Sequence, residues 1–271
     1  MSIIKTISSL RSYCKDHSIQ FKHLPSVIND PKVVPMIRGY AFEFDVFDKV
    51  KKLFSKTKRF YVEKPYMNAE IFHPDIDIEI FDTQNKNSDG ENSSYMGECK
   101  LARNNSFKFK TRLRNYPFCQ IKCMRSRTLG GDKIIQVANR LGISEELLNS
   151  HKDSYRYDHF DLVFTNLSNA FYRTNTDGKF VLSPSDDEIE FLKLFFNTSN
   201  SKKSLKLLRK EKFFSIMKET APLSINNRVC NRRGCISNNE CGFVPNNILF
   251  RMDNLDGWYP INQLTEKLIK Y

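Results

Sequence analysis

The chain lacks any apolar run approaching the roughly 20 residues that a membrane-crossing helix needs, so a bilayer-spanning protein is not expected. Its first residues, MSIIKTISSLRSYCKDHS, lack the uninterrupted apolar core and small-residue cleavage site of a secretory signal, because Lys5 and Arg11 break the stretch. A soluble, cytoplasmic chain is therefore expected. The cysteines lack the pattern of a disulfide framework: seven of them, at 14, 99, 119, 123, 230, 235 and 241, are an odd number scattered over 271 residues, as reduced thiols would be. No internal repeat occurs.

What the chain has in excess is positive charge. Forty-three Lys and Arg against 31 Asp and Glu give a net charge of +12. Basic side chains that displace counterions from phosphates gain affinity without reading sequence, so nucleic acid is the leading class of partner.

The length suits one large domain, 1–271, with elaborations. Residues 1–40 read as a helical lead-in punctuated by Pro25, Pro31 and Pro35. From Ala41, Phe42, Val46, Val50, Leu53 and Phe54 recur at helical spacing, which predicts a helix with one buried face. RFYVEKPY (59–66), DIDIEIFD (75–82) and YMGECKL (95–101) read as strands, and TQNKNSDGENSS between the last two reads as a loop. GGDKIIQVANRLG and SEELLNSH read as helices, and HFDLVFTNLSNAFYRT (159–174) as one or two further strands. The order helix, strand, strand, strand, helix, strand over 41–166 predicts an α/β core with a mixed sheet flanked by helices. Residues 184–271 are expected to add C-terminal helices and a basic segment.

Alternation along DIDIEIF sends Ile76, Ile78 and Ile80 to one face and Asp75, Asp77 and Glu79 to the other. In YMGECKL the same rule groups Met96, Glu98 and Lys100 opposite Tyr95, Gly97, Cys99 and Leu101. If these strands pair, Glu98 sits beside Asp75 or Asp77. Two carboxylates held together repel unless a cation neutralises them, and oxygen ligands suit magnesium or manganese. A lysine ammonium alongside could orient a water and stabilise a pentacovalent phosphate. The plainer alternative is a solvated acidic face on which Glu98 pairs with Lys100.

HPD at 73–75 followed by ECK at 98–100 resembles the motif of the PD-(D/E)XK nuclease superfamily, and chain size and organisation are most similar to its type II restriction endonucleases. The resemblance covers roughly 125 residues, by order of elements more than by identity. It implies a restriction-endonuclease-like core in which Asp75 is the principal metal ligand, Glu98 the second carboxylate and Lys100 the residue that positions the attacking water. It also implies a metal-binding role for the Cys99 carbonyl and a helper role for Glu43 on the preceding helix. Asp77 shares the face of Asp75 and could take its place. The cofactor implied is Mg2+, with Mn2+ substituting. The partner implied is double-stranded DNA, cut by a homodimer in a host carrying a cognate methyltransferase.

Two basic stretches are candidate DNA contacts. Arg103, Lys108, Lys110, Arg112 and Arg114 follow the ECK strand and suit phosphate contact. Asn226, Asn227, Arg228, Arg232 and Arg233 lie in INNRVCNRRGCISNN, and Asn and Arg can pair with adenine and guanine edges. Cys230, Cys235 and Cys241 lack a C-x2-C knuckle and a fourth local ligand, so a zinc site would need a distant Cys119, Cys123 or histidine and is not expected. A nuclease that recognises DNA shape, in repair or junction resolution, is the alternative within the same chemistry. A non-catalytic nucleic-acid-binding protein is the alternative outside it.

Overall fold

The computed structural model describes residues 3–65, 76–124, 130–217, 235 and 241–271. In chain order these form α1 (Ile3–Asp16), α2 (Leu24–Ile28), α3 (Val34–Phe54), β1 (Phe60–Glu63), β2 (Ile78–Lys86), β3 (Asn92–Cys99) and β4 (Phe118–Lys122). There follow α4 (Gly131–Leu141), α5 (Glu145–Ser150), β5 (Leu162–Thr165), β6 (Tyr172–Thr174), β7 (Phe180–Leu182), α6 (Asp186–Phe195) and α7 (Ser201–Lys210). The chain closes with β8 (Phe213–Ile216), β9 (Asn247–Arg251), β10 (Trp258–Pro260) and α8 (Leu264–Lys270). No helix among the described residues is long and apolar enough to cross a membrane.

The architecture is mixed α/β. A six-stranded sheet of order β1-β2-β3-β5-β8-β10 runs through it, antiparallel at every junction except β3 with β5, which is parallel. Strand alternation assigns its residues to two cores. Ile78, Ile80, Cys99, Leu162, Phe164, Phe214 and Ile216 face the stripe Phe42, Val46, Val50 and Phe54 of α3, together with Leu264 and Leu268 of α8. Val163, Phe213 and Met217 face the opposite way, into a core with Phe107, Ile121, Tyr155, Phe171, Leu192 and Phe250. A third, smaller cluster joins α4 and α5 to Cys235, Cys241 and Phe243.

Helix α3 begins at Val34, seven residues before the apolar periodicity becomes regular. Pro35 occupies its first turn, where a missing N–H costs nothing, so the proline that suggested a break instead opens the helix. The polar stretch 83–94 is not a loop throughout. Strands β2 and β3 extend into it from both sides, leaving a short turn in which the Asn87 side chain accepts from the N–H groups of Asp89 and Glu91 and Gly90 takes a positive φ of 79°. Buried Asp82 supports this arm from below: it takes a bidentate pair from Arg59 (2.7 Å at its shortest) and further bonds from Gln84 N–H and Asn85. Strands β8 and β10, from the region expected to hold helices and a basic segment, complete the central sheet. Both are short, β8 being buried along its whole length and β10 ending at Pro260, so neither shows alternation over a useful length.

Candidate active site

The register of β2 on β3 sets Ile78 opposite Gly97 and Glu79 opposite Met96, so Asp77 continues the ladder opposite Glu98, with its N–H on the Gly97 carbonyl at 3.1 Å. The Asp77 carboxylate then turns back over the strand, and its Oδ2 accepts from the Cys99 N–H at 2.6 Å. The close fit depends on Gly97. A Cβ at that position would fall 2.8 Å from Ile78 Cγ1 and 2.9 Å from Phe164 Cε2, both in the packed core.

Glu98 is buried, which goes against the plainer alternative of a solvated acidic face. The second core covers that face, and Tyr155 lies over it. The Tyr155 hydroxyl donates to Glu98 Oε1 at 2.8 Å, and the Lys100 ammonium pairs with the same oxygen. Lys100 also sits 5.4 Å from the centre of the Tyr155 ring. The other oxygen, Oε2, is fully buried and has no hydrogen-bond partner among the described residues. A second ammonium closes the other side: Lys64, at the end of β1, bonds Glu43 Oε2 of α3 at 2.8 Å and the Asp77 carbonyl at 3.4 Å. The cluster thus holds three carboxyl groups and two ammonium groups.

Its electrostatics follow from that imbalance. Burial, then the neighbouring charge of Glu98, raises the Asp77 carboxyl to about 8, against the partial relief given by Lys100. Glu98 is raised as well, by burial above all, with Lys100 and Tyr155 opposing. Burial pulls Lys100 down, but Glu98, Tyr155 and Asp77 outweigh it and hold the ammonium well above the usual lysine range. Lys100 is therefore a fixed cation. The Cys99 thiol, between the two charged side chains in sequence, faces the opposite core, and burial pushes it well above the ordinary thiol range.

The donor set suits a hard divalent cation. A carboxyl held up to about 8 and a buried carboxylate oxygen without a donor are both relieved by a cation between them, and oxygen ligands of this kind match magnesium or manganese. Asp77, Glu98, Lys100 and Glu43 are thus gathered at one end of the sheet. Asp75 and His73 lie outside the described residues, so the carboxyl found opposite Glu98 is Asp77. Lys64 and Tyr155 are additions that the sequence reading missed. Lys64 stands at a strand end before Pro65, and Tyr155 in an irregular stretch, so neither position shows periodicity.

Among the basic residues, Arg103, Lys108, Lys110 and Arg112 are exposed, and Arg114 is half-buried with its guanidinium 5.4 Å from the Phe118 ring centre. Arg103 also donates to the Gln120 side chain at 3.1 Å. Asn226, Asn227, Arg228, Arg232 and Arg233 lie outside the described residues. Comparison with protein-family models, with curated proteins and with solved structures finds no match to this chain.

Proposed function

We propose that this protein is a Mg2+-dependent endonuclease of double-stranded DNA, of the type II restriction kind, built on a restriction-endonuclease-like core. The observation that carries the reading is the buried Glu98 Oε2, without a hydrogen-bond partner among the described residues, set beside an Asp77 carboxyl held up to about 8 and the cation of Lys100. The order α3, β1, β2, β3, then β5 parallel to β3 after an excursion through β4, α4 and α5, supports the resemblance; β4 pairs with β9 outside the central sheet. The net charge of +12 supports a polyanionic substrate.

On this reading Asp77 and Glu98 hold the metal, with the Cys99 carbonyl as a further donor. Bound there, Mg2+ supplies a more acidic water and charge neutralisation at the phosphate. Lys100, half-buried and paired with Glu98, orients the attacking water and faces the charge that grows on the phosphoryl oxygens. Tyr155 holds Glu98 in one rotamer, so that Oε2 is directed away from the hydroxyl. Glu43 and Lys64 brace the Asp77 backbone. Exposed Arg103, Lys108, Lys110 and Arg112 contact backbone phosphates, and a homodimer presents two such sites to the two strands. The cytoplasm of a host with a matching methyltransferase is the setting this implies.

The test is digestion of plasmid DNA by purified protein with Mg2+. Discrete fragments are expected, whereas cutting confined to junctions or flaps would indicate shape recognition. Asp77→Asn, Glu98→Gln and Lys100→Met should each lower cleavage at least about 100-fold while leaving DNA binding in place. Wild-type cleavage by folded Glu98→Gln would rule out the site, and DNA binding without cleavage by the wild type would leave a binding protein. Asp75→Asn, assayed alongside, decides which aspartate the reaction needs.

A further inference from the structure

We infer that the chain carries a second metal site, a zinc centre in which His151, Cys235 and Cys241 supply three of the four tetrahedral positions, separate from the carboxylate cluster and independent of the nuclease reading. The three side chains come from distant parts of the chain. His151 caps the C-terminal end of α5, and the two cysteines belong to the segment before β9. All three are buried, and one ligand atom from each lies within 4.8 Å of the others. Tetrahedral zinc, with bonds of about 2.3 Å to sulfur and about 2.0 Å to nitrogen, would hold such atoms about 3.5–3.8 Å apart, so a contraction of about 1 Å closes the site.

The orientation of the histidine is the more specific feature. Its Nδ1 is 2.8 Å from the carbonyl oxygen of Leu147, and a carbonyl can only accept, so Nδ1 carries the proton. In that tautomer Nε2 carries no proton, the form in which an imidazole ligates a metal, and the carbonyl contact is the outer support that metal-binding histidines ordinarily have. The ring is further fixed by stacking on Phe243, 4.4 Å away and tilted by 17°. Two thiolates and a neutral imidazole bring no net charge once Zn2+ is added, which suits the apolar surroundings of Ile134, Val137 and Leu148. A soft donor set of this kind selects zinc over the magnesium that carboxylates prefer. Spacing alone did not reveal it, because the histidine stands 84 residues before Cys235 in a stretch with no cysteine.

The centre would fasten the segment holding Cys235 and Cys241 to the α4–α5 pair. The adjacent strand contacts continue the same join: Tyr157 N–H bonds the Gly242 carbonyl at 3.1 Å, and Val244 N–H bonds the Tyr155 carbonyl at 2.8 Å.

The experiment is metal analysis of the full chain purified without chelator, followed by cobalt exchange. About one zinc per chain is expected, and the cobalt form should show a thiolate-to-cobalt charge-transfer band with tetrahedral d–d absorption. Cys235→Ser, Cys241→Ser and His151→Phe should lose the metal. Glu98→Gln and Cys119→Ser should keep it, which separates this centre from the carboxylate site and from other buried thiols. Should the ligand variants fail to fold, native wild-type protein still decides the matter, because chelation should make two further thiols reactive. Absence of zinc together with absence of the charge-transfer band, or a Cys235–Cys241 disulfide in the purified protein, would overturn the inference.

Discussion

Replacing Asp77 with asparagine should make the metal-free protein more stable, by an amount that grows with pH. In the folded chain the Asp77 carboxyl titrates near about 8, against 3.8 for the free side chain. A carboxyl raised in this way contributes stability that is fully present below the unfolded value and is lost as pH rises through the folded one. The difference of about 4 pH units corresponds to a ceiling of about 6 kcal/mol, at about 1.4 kcal/mol per unit. Residual solvent contact at Asp77 and sharing of the charge with Glu98 reduce this to about half. Asparagine keeps an acceptor for the Cys99 N–H and puts a neutral amide beside Glu98. Between about pH 5.5 and about pH 8.5 the margin of the variant over wild type should therefore widen by about 2 kcal/mol. Urea unfolding across that range with chelator present measures it. Excess Mg2+ should reverse the order, because it stabilises only a chain that binds it. A margin that stays constant or shrinks with rising pH would refute the account of Asp77 as an uncompensated carboxyl.

If the cluster takes Mg2+ as proposed, the same linkage makes binding release a proton, so affinity measured by calorimetry should rise by up to about tenfold per pH unit and level off above about 8; a flat profile would count against Asp77 as a ligand. Tyr155→Phe removes the 2.8 Å bond to Glu98 and should cost about 1.5–3 kcal/mol, seen as a fall of roughly tenfold or more in cleavage and a lower unfolding midpoint. Gly97→Ala drives a methyl into Ile78 and Phe164 and should destabilise the fold by about 1–3 kcal/mol in a thermal melt; an unchanged melt would contradict the register of β2 on β3.

Where the sequence had a period, the structure follows it. Phe42, Val46, Val50 and Phe54 form the buried stripe of α3, and Ile78 and Ile80 point into the same core. Ser185 and Glu188 form the capping box that opens α6, at the serine that follows Pro184. Alternation also grouped Glu98 with Lys100, the pair found in contact. It could not choose between Asp75 and Asp77, because residues two apart on a strand share a face and only the register separates them. It also could not indicate that the acidic face was covered, since the cover comes from Tyr155 and its neighbours, far along the chain and without a repeating pattern. Residues 83–94 misled for the opposite reason: their Asn and Ser content signals a loop, while backbone pairing in an antiparallel arm makes little demand on side chains.

The Tyr155 contact with Glu98 spans 57 residues, and β3 has its parallel neighbour only when β5 arrives. A growing chain that has emerged through residue 101 holds every charged group of the cluster but neither the strand nor the phenol that encloses Glu98. Contacts of such long range form late, since chain entropy must be lost before they are gained. Timing thus decides when the cluster is complete: a half-made copy or a truncated fragment would hold these charged residues in a slack arrangement, and only the finished molecule closes Glu98 beneath the Tyr155 hydroxyl.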